Sequence, residues 1–370
     1  MSPGPTPVPE QVLLKMADTI IHHRTPQFQA VLKDVNVKLK KVFQTENPVL
    51  IFASSGTGAM EASVVNLFSK GDKALVISGG KFGERFAEIS KAYGVEVVTC
   101  DVTWGDAADP KEVEKLLKEN PDVKAVYSTL CETSTGVAND IKEIAKVVSS
   151  TDAVLVVDAV SGLTADEFKP DEWGVDIVVS GSQKGIMLPP GLGFLSISPK
   201  ARKLVEESGL PKYYLSLKAA LKAHAKDDTP YTPAVSLIMG LDAVLDMMIE
   251  EGIDNVLTRH ARLAHATREA MKAMGLELFS ARPSNAVTAV KVPEGVDGGA
   301  LVKKMRDEQG VTIAGGQADL KGKIFRVAHL GYMDEYDTIT AVAGVEIVLS
   351  QLGYDIELGK GVGKAQELLK

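Results

Sequence analysis

Between residues 27 and 44, apolar side chains recur at steps of three and four: Phe28, Val31, Leu32, Val35, Leu39, Val42 and Phe43. That spacing predicts an amphipathic helix. The rhythm then changes. Short, nearly continuous runs of β-branched and apolar residues at 49–53, 74–78, 95–100, 123–128, 153–158, 175–180 and 193–197 alternate with amphipathic stretches. Runs without a polar face suit strands buried on both sides, and their spacing leaves room for crossover helices. The pattern predicts an α/β protein built on a mostly parallel sheet with helices on both faces.

Residues 234–249 are apolar almost all round, as a buried helix would be. Past Gly252 a long polar helix follows, then a smaller unit with strands at 286–292 and 323–329 and helices near 299–308 and 335–352. Two domains are expected, 1–251 and 252–370. No internal repeat or low-complexity tract interrupts this order.

Composition narrows the class. The chain has 370 residues, 45% hydrophobic and 24% charged, with 49 acids against 41 bases and a formal charge of -8. That balance argues against nucleic acid or an anionic membrane as the main partner. Charges interrupt every apolar run before it reaches the length of a membrane span. The start, MSPGPTPVPE, lacks the charged and apolar regions of a signal peptide. Cys100 and Cys131 make neither a disulfide framework nor a metal-ligand pattern, so a cytoplasmic protein without a metal is expected.

Ligands of open parallel sheets bind at the carboxyl ends of the strands, and three unusual features fall at such ends. SSGTGAME (54–61) follows the first run and opens a helix. Glycines admit close backbone approach, and free amides at a helix N-terminus bind phosphate. Alone, the stretch is equally a glycine turn with a helix cap, and it lacks the spacing of a nucleotide or dinucleotide loop. Asp158 closes a run of five apolar residues. It is either a helix cap or the partner of a buried cation such as a protonated pyridine nitrogen. Lys184, in SGSQKG, follows another run and sits between small residues. In a closed pocket such an amine loses its proton readily and attacks carbonyls; on an open loop it is only a solvated charge. Phosphate-binding amides, a pyridinium partner and an amine nucleophile, in that order on one sheet, describe pyridoxal phosphate (PLP) part by part.

With SPGPTPVP, GGKFGER, ETSTGV, VVDAVSG, PPGLGF, TPYTPAVSL and KIFRVAHLG, these motifs span nearly the whole chain. Together they resemble the class V aminotransferases of PLP fold type I, especially the alanine–glyoxylate, serine–glyoxylate and serine–pyruvate group. The resemblance implies a large domain on a mostly parallel seven-stranded sheet, a smaller C-terminal α+β domain, and a homodimer with shared active sites. Lys184 matches the family's Schiff-base lysine and Asp158 the partner of the pyridine nitrogen. Val160 matches the residue on one ring face, and Phe82 the aromatic on the other, where many relatives have Trp. Ser55, Gly56, Thr57, Ser182 and Gln183 match phosphate-binding or adjacent positions, although some relatives carry His where this chain has Thr57. Thr133 matches a residue near the ring hydroxyl and the substrate. Thr232, with Thr229 in reserve, matches a loop that reaches the neighbouring subunit's phosphate. Arg326 matches the residue binding the substrate α-carboxylate, and Gly4 a segment lining the same pocket.

The implied reaction is ping-pong transamination from alanine or serine to glyoxylate or pyruvate. Other class V donors, namely 2-aminoethylphosphonate, ureidoglycine and pyridoxamine, stay open, as does a non-catalytic partner subunit of the same fold. A desulfurase needs a mobile cysteine in the second half of the chain, and both cysteines precede residue 132. His260, Arg262 and His265 are expected on the solvated face of a helix.

Overall fold

The computed structural model describes residues 1–370. Seven strands form the main sheet: β1 (Val49–Ala53), β2 (Lys73–Ser78), β3 (Glu96–Asp101), β4 (Val123–Thr129), β5 (Val154–Asp158), β6 (Ile177–Gly181) and β7 (Leu192–Ile197). Their spatial order is β1-β7-β6-β5-β4-β2-β3. The pairs of β2, β3, β4, β5 and β6 are parallel, whereas β7 runs against both β6 and β1. Six strands therefore point the same way, and the carboxyl ends of β1, β5 and β6 meet at one edge.

Alternation along the strands divides the core. Leu75, Ile77, Val126, Leu155, Val157 and Val178 join one buried cluster beneath Pro26–Phe43 and Val235–Glu251. Val76, Ala125, Tyr127, Val154, Val156 and Val179 join a second cluster on the opposite face, with Gly56–Leu67. The first predicted helix forms as Pro26–Phe43. Thr25 caps it by accepting from the Phe28 amide, proline stands in its first turn, and Gln44 ends it in the left-handed conformation.

Past Gly252 the long helix is Ile253–Ala273, and the small sheet consists of β8 (Val287–Lys291), β9 (Ala314–Gly315) and β10 (Ile324–Ala328), with β10 in the middle. A separate cluster under this sheet contains Leu263, Met271, Val290, Leu301, Phe325 and Val345. One expectation fails here. His260 is fully buried rather than solvated. Its Nδ1 bonds the Thr164 carbonyl at 2.8 Å and its Nε2 accepts from the Gly331 amide at 3.0 Å. A helix whose buried face includes a polar ring satisfied by backbone groups hides that face from a hydrophobicity pattern. Arg262 and His265 are exposed as expected.

Candidate active site

A cavity of about 200 Å³ opens where β1, β5 and β6 end, lined by Gly4, Pro5, Ser55, Gly56, Thr57, Met60, Phe82, Arg85, Asp158, Val160, Gln183, Lys184 and Pro190. Each element delivers its residue for a local reason. Gly56–Leu67 starts immediately beyond β1, and the Ser55 side chain does not cap it. The amides of Gly56 and Thr57 consequently find no acceptor within the protein. A Cβ at Gly56 would lie 2.8 Å from Val160 Cγ2, so a larger residue would displace the Val160 side chain that lines the cavity.

Asp158 is the last residue of β5 and is only 4% exposed. Its Oδ1 accepts from the Val160 amide at 2.8 Å, while the other oxygen accepts nothing from the protein. Burial pushes this carboxyl up to about 7, and the Val160 hydrogen bond pulls it partly back. Lys184 follows β6 by three residues and lies across the cavity. Burial moves its amine down to about 8, in spite of nearby Cys131 and Asp158.

The N-terminal segment closes one side. The Met1 carbonyl accepts from the Ala328 amide at 2.9 Å, and Thr6 bonds the carbonyls of Gln183 (3.1 Å) and Lys184 (2.9 Å). Between these anchors the Pro3 carbonyl accepts from Lys184 Nζ. Gly4, at φ +128°, passes so near that a Cβ would lie 2.5 Å from Lys184 Cδ.

Arg326 is mid-strand in β10 and 4% exposed. Its Nη1 donates to the Thr133 carbonyl at 2.7 Å, and Nε and Nη2 donate to the Gly315 carbonyl at 3.1 and 2.7 Å. No carboxylate forms a direct ion pair with it; burial lowers its pKa, and the charge of nearby Glu132 opposes that shift. The Thr133 hydroxyl lies 2.6 Å from Ser161 Oγ.

Three matched residues point elsewhere. The Ser182 hydroxyl donates to the Pro189 carbonyl at 2.7 Å and accepts from the Leu192 amide at 3.2 Å, so it holds its own loop and does not line the cavity. Thr229 and Thr232 are also away from this chain's cavity. The Thr229 hydroxyl donates to the Tyr231 carbonyl at 2.8 Å, whereas Thr232 is exposed.

Sequence reasoning missed Arg85 and Glu132. Arg85 faces the cavity from one helical turn beyond Phe82, a spacing that was visible in GGKFGER. Glu132 is 1% exposed and accepts from the amides of Phe82 (3.1 Å), Gly83 (2.9 Å) and Ser134 (3.2 Å). It fixes the start of Lys81–Ala92, and hence the Phe82 ring, from 50 residues away in the chain. No local signal reveals such a contact.

The cavity fits PLP at each end. A free carboxylate oxygen of Asp158 suits a protonated ring nitrogen, the unused amides of Gly56 and Thr57 suit a phosphate, and Val160 and Phe82 suit the ring faces. The Gln183 side-chain oxygen is buried without a partner beside them, and the same amide turned about its terminal bond would present its NH2 donors to a phosphate.

The aminotransferase class-V family matches residues 1–328. The soluble hydrogenase 42 kDa subunit of Anabaena cylindrica is 46% identical, over 99% of this chain and 97% of that one. The L-aspartate–glyoxylate aminotransferase of Paracoccus denitrificans is 37% identical, over 99% and 94%. The serine–glyoxylate aminotransferase of Methylorubrum extorquens is 36% identical, over 100% and 95%. Among solved structures, pyridoxamine–pyruvate aminotransferase from Mesorhizobium loti superposes with a TM-score of 0.95 at 31% identity, covering 99% of this chain and 95% of that one. Ureidoglycine–glyoxylate aminotransferase from Bacillus subtilis gives 0.95 at 28% identity, covering 100% and 97%.

Proposed function

The chain belongs to the class-V aminotransferases and is a PLP-dependent transaminase, and from that premise we propose that it transfers an amino group from alanine or serine to glyoxylate or pyruvate. When bound, PLP supplies an aldehyde that captures amines and a protonated ring that draws electrons from the substrate α-carbon. Lys184 is the residue that holds the aldehyde end and, once released, moves the substrate's α-proton. Its amine, lowered to about 8 by burial, is basic enough to take a proton and close enough to neutrality to give it back. Asp158 keeps the proton on the ring nitrogen. Arg326 holds the α-carboxylate by its planar fork, and Gly4 and Thr133 complete that side of the pocket. Ser55, Gly56, Thr57 and Gln183 serve the phosphate. Ser182 serves it indirectly, by fixing the loop before Lys184.

The observation that carries the reading is the convergence of Lys184, Asp158 and Gly56 on one cavity, with Arg326 unpaired beside Thr133. Pure scaffolding needs none of these, which speaks against a non-catalytic subunit despite the name of the Anabaena relative. We also propose a homodimer of two-domain chains, 1–251 and 252–370, in which the exposed Thr232, more than the engaged Thr229, reaches the partner's phosphate. Separate buried clusters on either side of Gly252 support the division.

A panel of amino donors (alanine, serine, aspartate, pyridoxamine, ureidoglycine and 2-aminoethylphosphonate) against glyoxylate and pyruvate tests the assignment. Alanine or serine should show the highest kcat/KM with glyoxylate or pyruvate. Preference for pyridoxamine or the phosphonate would overturn the substrate and leave the family untouched.

A further inference from the structure

Arg85 has no assigned role, and its surroundings are unusual for an arginine. It stands in Lys81–Ala92, three residues beyond Phe82, and lines the cavity. Its guanidinium carbon lies 4.9 Å from the Phe82 ring centroid, within cation–π range. Nη1 donates to Thr57 Oγ1 at 3.2 Å, and this is the side chain's single hydrogen bond to the protein. Of the two acids on its own helix, Glu84 is paired with Lys81 at 2.5 Å, and Arg85 forms an ion pair with neither Glu84 nor Glu88. A guanidinium carries five donors, so four remain for a ligand.

Its position selects that ligand. Thr57 belongs to the first turn of Gly56–Leu67, where two backbone amides have no acceptor. A helix N-terminus contributes only about half a positive charge, whereas a phosphate monoester carries roughly -1.5 to -2 near neutral pH. Among the thirteen cavity-lining residues only Lys184 and Arg85 are cationic. Lys184 is committed to the aldehyde end of the cofactor, and Arg326 does not line the cavity and is tied to Thr133 and Gly315. The charge at the phosphate end is therefore left to Arg85.

Building on the phosphate role given above to Gly56 and Thr57, we propose that Arg85 is the cationic anchor of the PLP phosphate and at the same time clamps the Phe82 ring over the cofactor. Phe82 offers less stacking area than the Trp of many relatives, and a guanidinium on its ring stiffens that wall.

Pyridoxal, which has the ring and aldehyde but no phosphate, separates the two ends of the site. Full-length wild type, Arg85→Gln and Arg85→Lys are equilibrated with graded PLP or pyridoxal, and binding is read from visible absorbance. Losing a charge-assisted contact corresponds to roughly ten- to hundredfold in affinity. Arg85→Gln should lose about that much for PLP and less than about threefold for pyridoxal. Arg85→Lys should recover part of the PLP loss. Equal weakening of both ligands would mean that Arg85 only supports Phe82 or the fold, and the proposal fails. Unchanged PLP affinity with a selective loss of kcat/KM for aspartate would move Arg85 to the substrate side chain, and the proposal fails again. A wild type that binds no PLP would instead count against the cofactor itself.

Discussion

Burial moves the two central ionisable groups toward each other, Lys184 down to about 8 and Asp158 up to about 7. Only the neutral amine attacks an aldehyde, so the rate of PLP capture by cofactor-free protein should climb as pH rises through about 8 and level off above it. Stopped-flow absorbance measures this; a flat profile from pH 7 to 9 would refute the assigned microenvironment. Borohydride reduction of the loaded protein followed by peptide mapping should place the label on Lys184 alone. Asp158→Ala should keep visible PLP absorbance but lose most turnover, because nothing then holds the ring proton; near-normal kcat would remove Asp158 from that role. Arg326 is buried without a directly paired carboxylate, and deleting one partner of a buried charge-assisted pair with substrate costs on the order of 2–5 kcal/mol. Arg326→Ala should therefore lower kcat/KM for alanine and serine by roughly 30-fold or more while PLP absorbance stays.

At the scale of elements, two segments place the cofactor wall and the lysine. The start of Lys81–Ala92 is held by Glu132, whose burial raises its carboxyl above the usual range while the Ser134 hydroxyl and the amides of Gly83, Ser134 and Phe82 draw it back. Gly80 leaves room for this carboxylate, since a Cβ there would lie 2.5 Å from Glu132 Cδ. Glu132→Gln turns an acceptor into a donor facing amides, which is expected to cost about 1–3 kcal/mol in urea unfolding and to weaken PLP binding through Phe82. An unchanged midpoint would show the contact to be dispensable. The N-terminal segment acts on Lys184 directly. Gly4→Ala adds a methyl 2.5 Å from Lys184 Cδ, on a backbone at φ +128°, so PLP capture should slow by about tenfold or more, with a lower melting temperature from the strained backbone. Normal capture by this variant would show that the lysine tolerates displacement.

Whole-molecule behaviour rests on the buried histidines and on assembly. Burial lowers His260 to about 4 and His329 to about 3, in each case helped by a neighbouring arginine. Because the folded values lie below the unfolded one, the unfolded chain binds more protons below about 6.5. Stability present above that pH should drain away as pH falls toward 4. Urea midpoints at pH 7, 6, 5 and 4 measure the slope, and His260→Asn should flatten it while lowering stability at pH 7. Tyr213 is 80% exposed and its ring lies tilted against Tyr231, which in turn stacks on Tyr214, beside the threonines assigned to the partner site. Such an aromatic patch fits an interface, and sedimentation should give about twice the 39.4 kDa chain mass. A fully active monomer would exclude the shared site. No helix is long and apolar enough to cross a membrane.

Strand positions, the Pro26–Phe43 helix, and the placement of Lys184 and Asp158 at strand ends were all legible in the sequence, because each depends on periodicity or on neighbours within a few residues. The motif order also carried the family, and with it the cofactor. Other features were decided by contacts between distant segments. Antiparallel β7 reads like its parallel neighbours, since a strand buried on both faces has the same composition in either direction. His260 looks solvated until backbone groups of Thr164 and Gly331 close around it. Glu132 reaches Phe82 across 50 residues, and Arg85 meets Thr57 across 28. Local pattern determines which face of an element is apolar. Only the packed fold determines which polar side chains lose water together, and that loss is what turns scattered charges into a site.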